Sequence, residues 1–258
     1  AFKLANRAML MQMVHGNDFK ETLDKNQKEF IRPDYFSAKY SSFFWRPFQL
    51  AFFLLVLESL VNEDSNDRSV VDLIWFPTGG GKTEAYLSVA ALTIAWRRMT
   101  CQHYEGVSVI MRYTLRLLTA QQFERASKII TVLDYLRKQY KEDLKDEPIS
   151  IGLWIGDTST PNKLKKAIKV QKNISDFGES RNQFQLDKCP WCNSKLIQEK
   201  DGINRQAFDI REKKKDLKKL VKEKPGLFEI ENGIYKLKYL PAELMVINQC
   251  LHCKHRQK

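Results

Sequence analysis

The residues whose types and spacing carry the most chemistry are Thr78-Gly79-Gly80-Gly81-Lys82-Thr83-Glu84, which follow the apolar run Val70-Val71-Asp72-Leu73-Ile74-Trp75-Phe76 and Pro77. Three consecutive glycines allow backbone conformations closed to other residues, so successive N–H groups can converge on phosphate oxygens. Lys82 is expected to neutralise the β- and γ-phosphates of ATP, and the Thr83 hydroxyl to ligate Mg2+, so catalysis is assigned to these two side chains. Thr78, Gly79, Gly80, Gly81 and Glu84 complete the loop that would hold the cofactor. The bland alternative is a glycine turn that merely joins a strand to a helix; Lys-Thr directly after the glycines argues against it.

Such a loop works only between a strand and a helix. Residues 70–76 have the length and β-branched character of a buried strand, and Glu84–Arg98 reads as a helix whose N-terminus favours phosphate. Val107-Ser108-Val109-Ile110-Met111 and residues 149–156 are further candidate strands. Strand, helix and strand in this order imply a right-handed crossover, a parallel sheet and ligands at the carboxyl ends of the strands. The fold class expected is therefore α/β. The first sixty residues read as mainly helical, with Pro47 tolerated at the first turn of an apolar helix.

Four of the five cysteines fall into Cys189-Pro190-Trp191-Cys192 and Cys250-Leu251-His252-Cys253. Two C-x-x-C knuckles are expected to hold Zn2+ tetrahedrally through Cys189, Cys192, Cys250 and Cys253, with His252 or His255 as possible substitutes for a sulfur. Four thiolates leave no open position for substrate, so this zinc is structural; a redox pair or disulfides are the rival readings. Cys101 reads as an unpaired thiol.

The net charge of +12 is unevenly placed: residues 1–160 hold 20 Lys/Arg against 19 Asp/Glu, and residues 161–258 hold 23 against 12. The basic field thus belongs to the C-terminal third, where residues 210–224 read as a basic amphipathic helix. It suits a polyanion such as nucleic acid, and a solvated lysine-rich helix serves solubility equally well. The apolar run 48–57 is too short to span a membrane, and no leader opens the sequence, so no membrane partner and a cytoplasmic location are expected.

Pro77 to Glu84 resembles motif I of superfamily 2 helicases and translocases, although Phe76 stands where the generic pattern has its first glycine. Arg46-Pro47-Phe48-Gln49 is similar to the Q-motif of the same enzymes. The resemblance implies that Gln49 reads the adenine edge beside Arg46, with Phe44 or Trp45 stacking on the base. Arg116-x-Leu118-x-x-Gln121 looks like motif Ia, which contacts the backbone of a bound strand, so the resemblance assigns Arg112, Thr114, Arg116 and Gln121 to nucleic acid. Leu115 separates Thr114 from Arg116, which leaves open whether Arg112 or Arg116 makes the contact. Leu117, Leu118 and Phe123 also suit the inner face of a plain helix.

Together with Asn6-Arg7-Ala8-Met9, Trp45 to Gln49, Trp75 to Tyr86 and Met111 to Gln122, these elements resemble the helicase-related DrmA family of DISARM anti-phage systems. That resemblance implies a partial RecA-like P-loop NTPase domain at 61–185, preceded by a helical segment at 1–60 and followed by a zinc-ribbon-like module at 186–258. It implies an ATP-driven motor acting on DNA or RNA, with a companion defence subunit and the rest of the motor beyond Lys258 as partners. No apolar strand delivers an Asp-Glu pair, so hydrolysis is not expected from this stretch alone. The alternative is a zinc-containing nucleic-acid-binding module with a vestigial phosphate loop.

Overall fold

The computed structural model describes residues 1–17, 32–76, 79–113, 116–155, 163, 166, 169, 186 and 188–193, together with strand residues 197–200, 203–206, 208–210, 228–231, 234–237, 246–249 and 256–257. The chain divides into two units, Ala1–Leu153 with Pro190–Asn193, and Trp154–Cys189 with Ser194–Lys258.

The first unit is helical. Its elements are α1 (Phe2–Asn17), α2 (Pro47–Leu55), α3 (Leu57–Val61), α4 (Lys82–Thr100), α5 (Arg116–Gln139) and α6 (Lys141–Leu144), with 3-10 turns at Ala38–Tyr40 and Asn66–Ser69. α4 lies against α1, α2 and α5, and α1 also packs on α5. The reason is in the side chains. Ala85, Ala90, Ala91 and Ala95 of α4 and Ala5 and Ala8 of α1 are buried, and residues without a γ-carbon let two helix backbones approach closely. Leu87, Leu92 and Ile94 of α4, Met9, Met11 and Val14 of α1, and Ile129, Val132, Leu133 and Leu136 of α5 fill the space between. Burial of this kind contributes about 25 cal/mol per Å² of apolar surface.

The α/β, RecA-like sheet expected from the sequence is not what this unit adopts. Residues 70–76, 107–111 and 149–155 lie in no strand. Several of their apolar side chains face solvent, Leu73 being 87% exposed, Trp75 86% and Ile110 85%, whereas Ile149 is buried. A parallel strand needs a ladder partner on its edges and cover on both faces, and an apolar run reveals the demand for cover without supplying the partner. A helix closes its hydrogen bonds within its own segment, which is why α4 and α5 form where the flanking runs do not pair.

The strands among the described residues lie in the second unit and pair antiparallel over two to four residues. β1 (Ile197–Lys200) pairs with β2 (Ile203–Gln206), and β4 (Phe228–Glu231) with β5 (Ile234–Leu237). β3 (Phe208–Ile210), β6 (Val246–Gln249) and β7 (Arg256–Gln257) form a three-stranded sheet with β6 in the middle. Of residues 210–224, expected as a basic helix, Ile210 ends strand β3 instead, and 211–224 lie outside the described residues. Among the described residues no helix is long and apolar enough to cross a membrane.

Candidate phosphate loop and its clamp

α4 begins at Lys82, and the glycines before it hold the conformations that their type allows. Gly79 has φ of 79° and Gly81, the N-cap, φ of 91°, both in the left-handed region that disfavours a side chain. Helix α2 holds this turn from the side. Arg46 Nη1 donates to the Gly80 carbonyl at 2.7 Å, and Gln49 Nε2 donates to the Gly81 carbonyl at 2.8 Å. Gln49 Oε1 in turn accepts from the Arg46 amide at 2.9 Å, which fixes the carboxamide's orientation. In a planar trans peptide the carbonyl and the next N–H point in opposite directions. Pinning the carbonyls of Gly80 and Gly81 toward α2 therefore turns the N–H groups of Gly81 and Lys82 away from it, at a helix end whose first N–H groups have no intrahelical acceptor. Phe76, just before the loop, packs its ring on Phe48 of α2 at 4.2 Å.

Downstream, the loop is tied to α5. Thr83 is buried, and its Oγ1 lies 3.0 Å from Tyr86 Oη, which lies 2.9 Å from Gln122 Oε1. An amide oxygen only accepts, so the single Tyr86 proton goes to Gln122. The Thr83 hydroxyl can then give its proton to Tyr86 and keep its oxygen lone pairs for a cation. Tyr113 Oη approaches Tyr86 at 3.4 Å; burial, then the hydrogen bond to Tyr86, pushes the Tyr113 phenol well above its ordinary pKa. Glu84 pairs with Arg125 of α5.

The residues present fit a nucleoside triphosphate with Mg2+ at this helix end: left-handed glycines, outward N–H groups, a lysine and a hydroxyl with available lone pairs. Gln49, expected to read adenine, uses both ends of its carboxamide in the clamp. Lys82 donates to the Phe76 carbonyl. Trp45, one stacking candidate, is packed, its Nε1 donating to Asn6 Oδ1 at 2.8 Å and its ring leaning on Phe53 at 6.0 Å. Phe44, the other, is exposed. Of the nucleic-acid set, Arg112 and Gln121 are exposed and Arg116 is the first residue of α5. Pro77, Thr78 and Thr114 lie outside the described residues. The acidic pair after α6 is engaged elsewhere, Asp146 with Lys141 at 3.5 Å and Glu147 with Tyr104.

Cys189 and Cys192 are both buried, and Asn193, with φ of 57°, closes the turn after them. A C-x-x-C pair is of the type that supplies two of the four sulfurs of a tetrahedral thiolate set. Cys250 and Cys253 lie outside the described residues, and among the described residues no three metal-capable side chains converge. Trp191, between the two cysteines, packs its ring tilted against His15 at 4.2 Å and against Tyr135 at 4.8 Å. His15 Nδ1 lies 2.5 Å from the Trp191 carbonyl and Nε2 2.8 Å from Tyr35 Oη. A carbonyl only accepts, so in the neutral ring Nδ1 carries the proton and Nε2 accepts from Tyr35. Burial, foremost, pushes the Tyr35 phenol far above its ordinary pKa and keeps that donor protonated.

Over 215 residues, 81% of this chain, the sequence is 38% identical to the DISARM protein DrmA of Bacillus paralicheniformis. The chain is a relative of DrmA. It spans 17% of the length of that protein. No protein-family model matches the chain. The kinship expected from residues 6–9, 45–49, 75–86 and 111–122 is thereby borne out. Within this relative of DrmA, sequence reasoning missed Tyr86, Tyr113, Gln122 and Arg125. The available signal was Tyr86, three residues after Thr83 and so on the same helix face.

Proposed function

We propose that this chain is the nucleotide-binding part of a helicase-related, ATP-dependent motor that acts on DNA in DISARM anti-phage defence, with Mg2+ as the metal of the nucleotide site. The observation that supports the reading best is the clamp, in which Arg46 and Gln49 hold the carbonyls of Gly80 and Gly81 and so present N–H groups at the start of α4. Lys82 supplies the positive charge for the phosphates, and Tyr86 holds the Thr83 hydroxyl in the state suited to a cation. Bound Mg2+ would supply charge neutralisation to the terminal phosphates. Cys189, Cys192, Cys250 and Cys253 are assigned to a structural Zn2+, and the remaining length of a DrmA-sized protein and a companion defence subunit are the partners this reading calls for.

The test is binding of a fluorescent ATP analogue with Mg2+. Removing the ammonium in Lys82→Ala takes away a charge-assisted hydrogen bond, and affinity should fall about tenfold or more. No turnover is expected from this chain alone. Binding unchanged by Lys82→Ala overturns the reading.

A second reading has its own observation. Lys82 is on the Phe76 carbonyl and both ends of the Gln49 amide are in use, as in a loop closed on itself. In that case the chain is a zinc-containing nucleic-acid-binding module with a vestigial loop, and DNA binding is tight and indifferent both to ATP and to Lys82→Ala.

A further inference from the structure

Between the segment before the first 3-10 turn and the end of α5 lies a cleft of about 350 Å³, lined by Arg7, Arg32, Asp34, Phe36 and Tyr135 among others. Its chemistry differs from that of the phosphate loop. The Arg7 guanidinium sits between two rings, 5.7 Å from the centre of Phe36 and 5.8 Å from that of Tyr140, and donates to the Tyr140 hydroxyl at 2.5 Å. Its Nε is buried with no hydrogen-bond partner. Arg32 lies 5.8 Å over Tyr135 and donates to that phenol. Neither guanidinium has a carboxylate in ion-pair reach among the described residues. A phenol satisfies one N–H and none of the charge, so most of the donor capacity of two arginines stays available.

We infer that this cleft binds a phosphodiester of single-stranded nucleic acid, with a base laid on Phe36. Charge selects the ligand. Two guanidiniums and the Asp34 carboxylate leave one net positive charge among the lining residues, which matches the single negative charge of a phosphodiester and not the several charges of a nucleoside triphosphate. One oxygen of Asp34 is fixed by the Phe36 amide at 3.0 Å, which sets the turn that presents the ring. Phe36 is 73% exposed, and an exposed aromatic beside guanidiniums is a stacking platform that only an unpaired base can use. The volume is at the lower end of the range of about 300–1,000 Å³ for ligand pockets, which suits one nucleotide unit.

The experiment is fluorescence anisotropy of the chain with dye-labelled oligothymidylate, against the matching duplex and with unlabelled ATP as competitor. Phe36→Ala removes an exposed ring together with its contact to the Arg7 guanidinium and should weaken single-strand binding about tenfold. Arg32→Ala should reduce the slope of log affinity against log salt by about 0.7, the loss of one phosphate contact. Duplex should bind more weakly than the single strand, and ATP should not displace the strand from the Lys82→Ala variant. Unchanged affinity and salt slope in both variants, with circular dichroism unaltered, overturns the proposal, as does a duplex bound as tightly as the single strand. ATP-analogue binding reports on the phosphate loop separately, so either site can fail without the other.

Discussion

Gly81 meets two demands at once. Its φ of 91° is strained for any residue with a β-carbon, and a β-carbon placed there would stand 2.6 Å from Gln49 Nε2. Gly79 shares the positive φ but has open space around it, so it meets only the first demand. Alanine at either position costs about 1–2 kcal/mol from the backbone alone. At Gly81 it also pushes the carboxamide off the Gly81 carbonyl. Gly81→Ala should therefore lower stability by about 1 kcal/mol more than Gly79→Ala, read from urea midpoints, because one hydrogen bond of the clamp is lost as well. Equal midpoints would show that Gln49 moves aside without loss.

At the scale of elements, the ends of α5 and α6 are joined by one carboxylate. Asp134 accepts from Arg137 Nε at 2.7 Å and from the Ile149 amide at 3.0 Å, while Arg137 Nη1 donates to the Asp146 carbonyl at 2.7 Å. Burial pushes the Asp134 carboxyl up, but the hydrogen bonds from Arg137 and Ile149 and the charges of Arg137 and Lys138 outweigh it, and its pKa falls below the ordinary 3.8. The folded carboxyl thus holds its proton less tightly than the unfolded one. Its stabilisation is complete above the ordinary carboxylate value and fades as pH falls through the lower folded value. Asp134→Asn should cost about 2 kcal/mol near neutral pH. The wild type should lose more stability than the variant as pH falls below the ordinary carboxylate range, by urea titration at each pH. Parallel losses would place the acid sensitivity on other groups.

For the whole molecule, legibility followed the range of the interactions. The spacing of α4 and α5 showed in sequence because alanine and leucine at helical intervals report local structure, and the glycines before Lys82 report a turn. The links from Gln49 to Gly81 and from Tyr86 to Gln122 did not show, because each hydrogen bond joins residues more than thirty positions apart and nothing in either local pattern names its partner. The runs at 70–76 and 107–111 misled for the same reason: apolar content tells how much cover a segment wants, and says nothing of the strand that would lie beside it. Trp191 is the furthest case. Its knuckle signals a metal by its cysteines, yet the tryptophan between them closes the helical unit by packing on His15 and Tyr135, residues supplied by α1 and α5. Contacts between such distant positions order the chain only once the helices are in place, so they should govern the cooperativity of unfolding. Trp191→Ala leaves a cavity and should cost about 3–5 kcal/mol, whereas Trp191→Phe, which keeps a ring between the same neighbours, should cost less than half of that. Because the His15 bond is to the Trp191 backbone carbonyl, it survives both substitutions, and the difference between the variants measures the ring contacts and their burial. Urea unfolding followed by circular dichroism gives both values. If Trp191→Ala unfolds at the wild-type midpoint, the knuckle rests on the helices without holding them.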